Sequence, residues 1–165
     1  MSPSGPVHVN TLDAELSVQL SVPQFEPKYL PFRANVQAQT YQRTIKRQPV
    51  EFSCVSMGNP HVVILVPESA TAQVEVIGSA FQHHADFPQR ANVGFAQVRS
   101  ESHISLRVYE RGVGETLACG TGACAAVVAG IRWGLLDADV ARQFARFLAR
   151  AGAKRYSLRP GGVCV

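Results

Sequence analysis

An α+β fold, mainly an antiparallel β-sheet curled around one buried central helix, is what the 165-residue sequence predicts. Three observations predict it. Segments with the two-residue period of a strand outnumber segments with helical period. Several of the strand candidates lie close enough in the chain to be joined as hairpins. One helical segment, rich in Gly and Ala, has no polar stripe, and a helix apolar all round is buried all round.

The elements follow in chain order. "LSVQLSV" (16–22) alternates apolar and polar residues, as a half-buried strand does. "PQFEPKYLPF" (23–32) holds three prolines in ten residues and reads as an extended connection. "TYQRTIKRQ" (40–48) and "VEFSCVSM" (50–57) read as two strands that pair. "HVVILV" (61–66) is continuously apolar, hence a buried strand. "TAQVEVIGSAFQHH" (71–84) has helical spacing, with Thr71 or Ser69 as its expected cap. "ANVGFAQV" (91–98) is a further strand. "HISLRVYE" (103–110) alternates cleanly, with Ile104, Leu106 and Val108 on its apolar face. The same period puts Glu110 on that face, so the strand delivers a carboxylate to the core side at its end. The chain then turns through Arg111-Gly112-Val113-Gly114 and enters the apolar helix, expected at about 121–134.

Composition narrows the class of protein. With 46% hydrophobic and 17% charged residues the chain can bury a core, and its length makes one domain the default. Four cysteines without a CxxC pair make neither a zinc site nor a disulfide framework, so no metal is expected. No secretion signal is read at the start, and no apolar run is long enough to span a membrane. A reducing, cytoplasmic compartment with free thiols follows as the expectation. The net charge of +4 comes from one end: residues 141–165 carry six Lys and Arg and no acid, while residues 1–140 carry ten against twelve Asp and Glu. The basic balance therefore describes a solvated tail, and no nucleic-acid partner is expected.

"LACGTGACAAVVAG" (117–130) carries the chemistry. Cys119 lies just before the apolar helix, where the first-turn N–H groups lack internal partners and the helix dipole is positive. Both effects favour a thiolate, so its pKa is expected to fall. Gly120 and Gly122 leave those N–H groups uncovered for an anion such as a substrate carboxylate. A buried structural cysteine explains the stretch equally well. Cys124, five residues on, is about 140° round the helix and shares no face with Cys119. Cys54 reads as core. The stretch lacks the Lys-Ser/Thr of a phosphate-binding loop and the GxSxG of a serine hydrolase. None of Lys28, Lys46 and Lys154 lies in a Gly-rich motif that would suit pyridoxal phosphate. Two further turns, Asn59-Pro60-His61 and the one carrying Asn92, feed strands. They read as Asx-type turns or as ligands of an amino acid's charged groups.

Together, "SMGNPHVVI", "FPQRANVGFAQV" and "YERGVGETLACGTGACAA" resemble the C-terminal half of the diaminopimelate epimerase family. The resemblance covers roughly residues 15–136 and leaves 1–14 as an extension and 137–165 as a divergent basic tail. It implies an enzyme that works without a cofactor, inverting one α-carbon of diaminopimelate from the LL to the meso form, for lysine and peptidoglycan synthesis. In that family two cysteines on opposite faces of the α-carbon alternate as thiolate and thiol. Cys119 matches one of them. His61 and Glu110 match residues that tune the pair. Asn59, Asn92, Glu110, Arg111, Gly120 and Thr121 match residues that hold the substrate.

Two departures stand beside the match. The family's other cysteine lies in a similar first half, and no other cysteine here sits in a comparable context. The two-base site is thus expected to be incomplete, to be completed by a separate N-terminal half or a homodimer. After residue 140 the chain swings to basic residues, with Arg142, Arg146 and Arg150 spaced like a helix stripe. That swing reads as a frame change or a divergent terminus, and the sheet is expected to lack its last strands. A non-catalytic remnant or binding module, and a related cofactor-independent racemase, are the alternative functions.

Overall fold

The structure, a computed structural model, describes residues 8–12, 15–19, 22–117, 119–138, 157–159 and 162–164. Alternation in the sequence becomes one sheet. Strands β3 (Tyr41–Ile45), β4 (Gln48–Ser56), β5 (Pro60–Leu65), β6 (Asn92–Ser100) and β7 (His103–Glu110) lie side by side in that order. A short β8 (Gly114–Thr116) folds back on the end of β7. Every neighbouring pair is antiparallel except β5 and β6, which run parallel. A parallel pair needs a crossover, and helix α1 (Val74–Gln82) supplies it.

Further strands lie at the two ends. His8–Leu12 (β1) and Glu15–Gln19 (β2) form a two-stranded hairpin. Ser157–Arg159 (β9) and Gly162–Cys164 (β10) pair with each other, and β9 meets β7 through Ser105 and Ser157. The sheet therefore gains strands from the tail that was expected to withhold them. The stripe of Arg142, Arg146 and Arg150 lies outside the described residues.

Because side chains alternate across a strand, the sheet has two cores. One face packs Val55, Val63, Ala96 and Ile104 against helix α2 (Gly120–Arg132). The other packs Phe52, Val62, Ile64, Val93 and Phe95 against α1 and against Leu30 and Phe32 from the proline-rich connection. This second core holds a cluster of rings: Phe32 stacks on Phe87 at 4.7 Å, and Phe52 meets Phe81 edge-on at 5.1 Å.

Two local expectations are corrected. Helix α2 is not buried all round: Thr121, Cys124, Val128 and Ile131, spaced as one face of a helix, are only half-buried. A single sheet layer covers one side of a helix and leaves the opposite stripe uncovered. Nor does Thr71 or Ser69 cap α1. Its N-cap is Gln73, without a side-chain hydrogen bond, and the Ser69 hydroxyl instead donates to Gln97 Oε1 across the sheet.

The β3–β4 hairpin closes on two residues, Lys46 and Arg47, both left-handed at φ 48° and 68°. That is the geometry of a type I′ turn, which favours Asn-Gly because side chains crowd the backbone there. The double substitution Lys46→Asn, Arg47→Gly should raise unfolding free energy by about 1 kcal/mol. Urea denaturation checks this, and a lower midpoint would contradict the turn geometry.

Candidate active site

The residues singled out in the sequence come together at one end of the sheet, on the face that α2 covers. Strand register explains why. His61 and Asn92 are direct partners at the starts of the parallel strands β5 and β6. Val93 pairs with Tyr109, which sets Glu110 beside Asn92 at the end of β7. Val63, Ala96 and Ile104 face α2, and the two-residue period puts His61, Asn92 and Glu110 on that same face. Glu110 thus lies on the side that its strand period predicted.

Cys119 arrives from the other direction. It is the N-cap residue of α2, extended at φ −140° and ψ 101°, and only 7% exposed. Its sulfur lies against the first turn of the helix. A Cβ on Gly122 would come within 3.1 Å of that sulfur, so any larger residue there would require the sulfur to give by a few tenths of an ångström. The Thr121 hydroxyl is 3.7 Å from the sulfur. Asn59 Nδ2 reaches the same hydroxyl at 3.5 Å, while its Oδ1 accepts from His61 Nε2 at 2.9 Å. Asn59, His61, Thr121 and Cys119 therefore form one connected group.

The expected fall in the Cys119 pKa does not occur. Burial pushes the thiol above its ordinary value, and the charge of Glu110 adds to this. The Gly122 N–H and the Thr121 hydroxyl pull the other way without overcoming it. The sequence shows the helix start; it does not show that the sulfur is sealed beside a carboxylate. Cys124, half-buried on α2, has its thiol pushed up to about 12 by burial and by the neighbouring Cys119. Cys54 is buried core, as read.

Asn92 is a brace in this structure. Its Oδ1 accepts the Arg111 N–H at 2.9 Å and its Nδ2 donates to the Pro60 carbonyl at 3.4 Å. The side chain is 4% exposed. It holds the turn that presents Arg111, whose exposed side chain donates through Nη1 to the Gln89 carbonyl at 3.3 Å. Gln82 is a second brace, missed by the sequence reading. Its Nε2 donates to the Ala91 carbonyl at 2.6 Å and its Oε1 accepts from the Gly112 N–H at 3.4 Å. It thereby ties together the loops of Asn92 and Arg111. A signal was present: Gln82 continues the buried stripe Val74, Gly78 of α1, where a polar residue must find partners.

His61 is 2% exposed, and burial, helped by the positive charge of Arg111, lowers its pKa to about 3. The imidazole is therefore neutral at physiological pH, with Nε2–H donating to Asn59. The unfolded chain protonates this residue near 6.5, the folded chain only near 3. Its contribution is thus whole above 6.5 and is lost as pH falls toward 3, about 2 kcal/mol by pH 5. Urea midpoints between pH 7 and pH 5 should show this slope, and His61→Gln should flatten it. An unchanged slope in the variant would contradict a buried, neutral His61.

Among the described residues no three His, Cys, Asp or Glu side chains gather as a metal site requires, and no described helix is long and apolar enough to cross a membrane.

Residues 53–154 match the family model described as diaminopimelate epimerase. The chain belongs to the diaminopimelate epimerase family. The diaminopimelate epimerase of Nitrosospira multiformis is 52% identical over 132 residues, 80% of this chain and 48% of that protein. Those of Nitrosomonas europaea and Alkalilimnicola ehrlichii are 49% and 51% identical over 128 residues, 78% of this chain and 46% of each relative. The chain thus spans about half the length of the curated relatives it matches. The family match takes in Asn59, His61, Asn92, Glu110, Arg111, Cys119, Gly120 and Thr121, and the α+β sheet agrees with it.

Proposed function

We propose that this chain supplies the C-terminal half of a diaminopimelate epimerase site, in which Cys119 moves the α-proton of diaminopimelate between solvent-excluded thiol and carbanion. The observation that carries the reading is the seating of the Cys119 sulfur at the start of α2, beside Glu110 and in one group with Asn59, His61 and Thr121. The chemistry follows from the residue types. An α C–H next to a carboxylate is a very weak acid, so the carbanion must be stabilised electrostatically. The first-turn N–H groups of Gly120 and Thr121 and the Arg111 guanidinium suit the substrate carboxylates.

Inversion needs two bases on opposite faces. A thiolate takes the α-proton and becomes a thiol, the C–H electron pair remains on carbon, and a thiol opposite gives its proton to that carbon and becomes a thiolate. No external oxidant or cofactor is needed for the balance. Cys119 supplies one face. The other comes from a second half, either a separate N-terminal half or a second copy. The half-buried stripe Thr121, Cys124, Val128 and Ile131, continuing from the helix start that bears Cys119, supports an arrangement in which such a half docks. Thiol chemistry of this kind suits a reducing, cytoplasmic compartment.

The test is α-hydrogen exchange of LL-diaminopimelate in heavy water, followed by NMR, with the chain alone and with a separately produced N-terminal half. Exchange with inversion in the mixture supports the reading. Exchange by the chain alone means that one thiol and its cradle already work. A folded chain that gives exchange in neither case points to the non-catalytic binding module.

A further inference from the structure

Thr116 lies three residues before Cys119, on β8, and has no role in the reading above. Its hydroxyl donates to Glu110 Oε1 at 2.5 Å. Both side chains are half-buried. The contact is built by strand pairing, because Glu110 pairs with Gly114 and Thr116 pairs with Val108. Thr116 and Glu110 thus meet diagonally on one face of the β7–β8 ribbon.

The opposite face of the same ribbon is clamped. Arg107 Nε and Nη2 donate to Glu115 Oε1 and Oε2 at 2.7 and 2.9 Å, a fork-to-fork pair. Arg107 Nη1 also donates to the carbonyls of Ser69, Ala70 and Ala72 at 3.0 to 3.2 Å. This anchors the ribbon to the loop before α1. With β8 held in register from behind, the Thr116 hydroxyl is kept on the Glu110 side of the ribbon, and the carboxylate it binds is the one whose charge bears on Cys119.

We propose that Thr116 is a positioning residue that holds the Glu110 carboxylate and partly neutralises its charge beside the Cys119 sulfur. The proposal rests on the reading of Cys119 and Glu110 as members of one proton-transfer site. Without the hydroxyl, one carboxylate oxygen loses its donor, and more of the negative charge acts on the sulfur. The thiolate then becomes harder to form.

The measurement is the pH dependence of Cys119 alkylation by iodoacetamide on the full chain, resolved from the other cysteines by fragment-ion mass spectrometry. It needs neither substrate nor a second half. Thr116→Val should raise the midpoint by about half a pH unit, which makes alkylation about threefold slower below the midpoint. Thr116→Ser should restore the parental profile. In a Glu110→Gln background the Thr116→Val shift should vanish, because the charge on which it acts is gone. A midpoint unmoved by Thr116→Val overturns the proposal, as does a shift that persists in Glu110→Gln. If Thr116→Val does not fold, Thr116→Ala is read by the same criteria. If alkylation behaves as expected while exchange of diaminopimelate never appears, the functional reading fails and the Thr116 contact stands. Normal exchange with an unmoved midpoint means the reverse.

Discussion

On the proposed function, Cys119→Ser should lower α-hydrogen exchange of diaminopimelate by about 10³-fold or more, whether the chain is assayed alone or with a complementary half. The magnitude is that of losing a positioned general base. A serine hydroxyl is far less acidic than a thiol, and the neighbouring Glu110 carboxylate, already bound by the Thr116 hydroxyl, is far too weak a base to ionise it. The imidazole of His61 donates through Nε2 to Asn59 and carries no charge at neutral pH. Thr121 offers only a hydroxyl. The fold should survive the change, since serine is smaller than cysteine and the sulfur sits against the space left by Gly122. The urea midpoint therefore separates lost chemistry from lost structure. The parent carries a second signature. Burial and the Glu110 charge hold the Cys119 thiol above its ordinary value, so exchange limited by thiolate formation should keep climbing as pH passes the usual thiol range. Undiminished exchange in Cys119→Ser would remove Cys119 from the mechanism.

Phe52→Ala should cost about 3–5 kcal/mol of folding stability. Phe52 is fully buried on β4, on the sheet face opposite α2. Its ring centre lies 5.1 Å from Phe81, 6.0 Å from Phe32 and Tyr41, and 6.1 Å from Phe87. Such rings span α1, the proline-rich connection, strand β3 and the loop after α1, and they cannot all move inward to fill the space left by the truncated side chain. A domain of this size has about 5–15 kcal/mol in total, so the variant lies close to unfolding at 37 °C. The effect should reach the site, because α1 carries Gln82, which ties the Ala91 and Gly112 backbones. Urea denaturation reads the loss, and Phe52→Leu should lose less by refilling part of the volume. A cost under about 1 kcal/mol for Phe52→Ala would mean that this core is loosely packed.

Much of the site could be read from contiguous residues. Ile104, Leu106 and Val108 set the buried face of β7, and counting on by two places Glu110 on it. The Gly-rich entry to an apolar segment marks Cys119 as a helix-start thiol, and it is the N-cap residue of α2. The apolar run at His61 announces a buried strand and His61 is buried at its start. The parallel pairing of β5 with β6 could not be read so directly, because alternation within a strand says nothing about the direction of its neighbour. The attachment of the tail strands escaped for a related reason: Ser157 and Ser105 meet across about fifty residues of chain.

Local pattern therefore settled which residues face the core, where α2 begins and which family the chain belongs to, since each depends on a short window of side chains and backbone N–H groups. Electrostatics and hydrogen-bond partners depended on segments far apart in sequence. Asn92 braces a loop 19 residues on, and Asn59 reaches Thr121 across 62. The Cys119 thiol is raised because folding closes a sheet and a carboxylate over a helix start that, seen alone, would lower it. Burial is a property of the packed whole, and it reverses the sign that the local motif suggests.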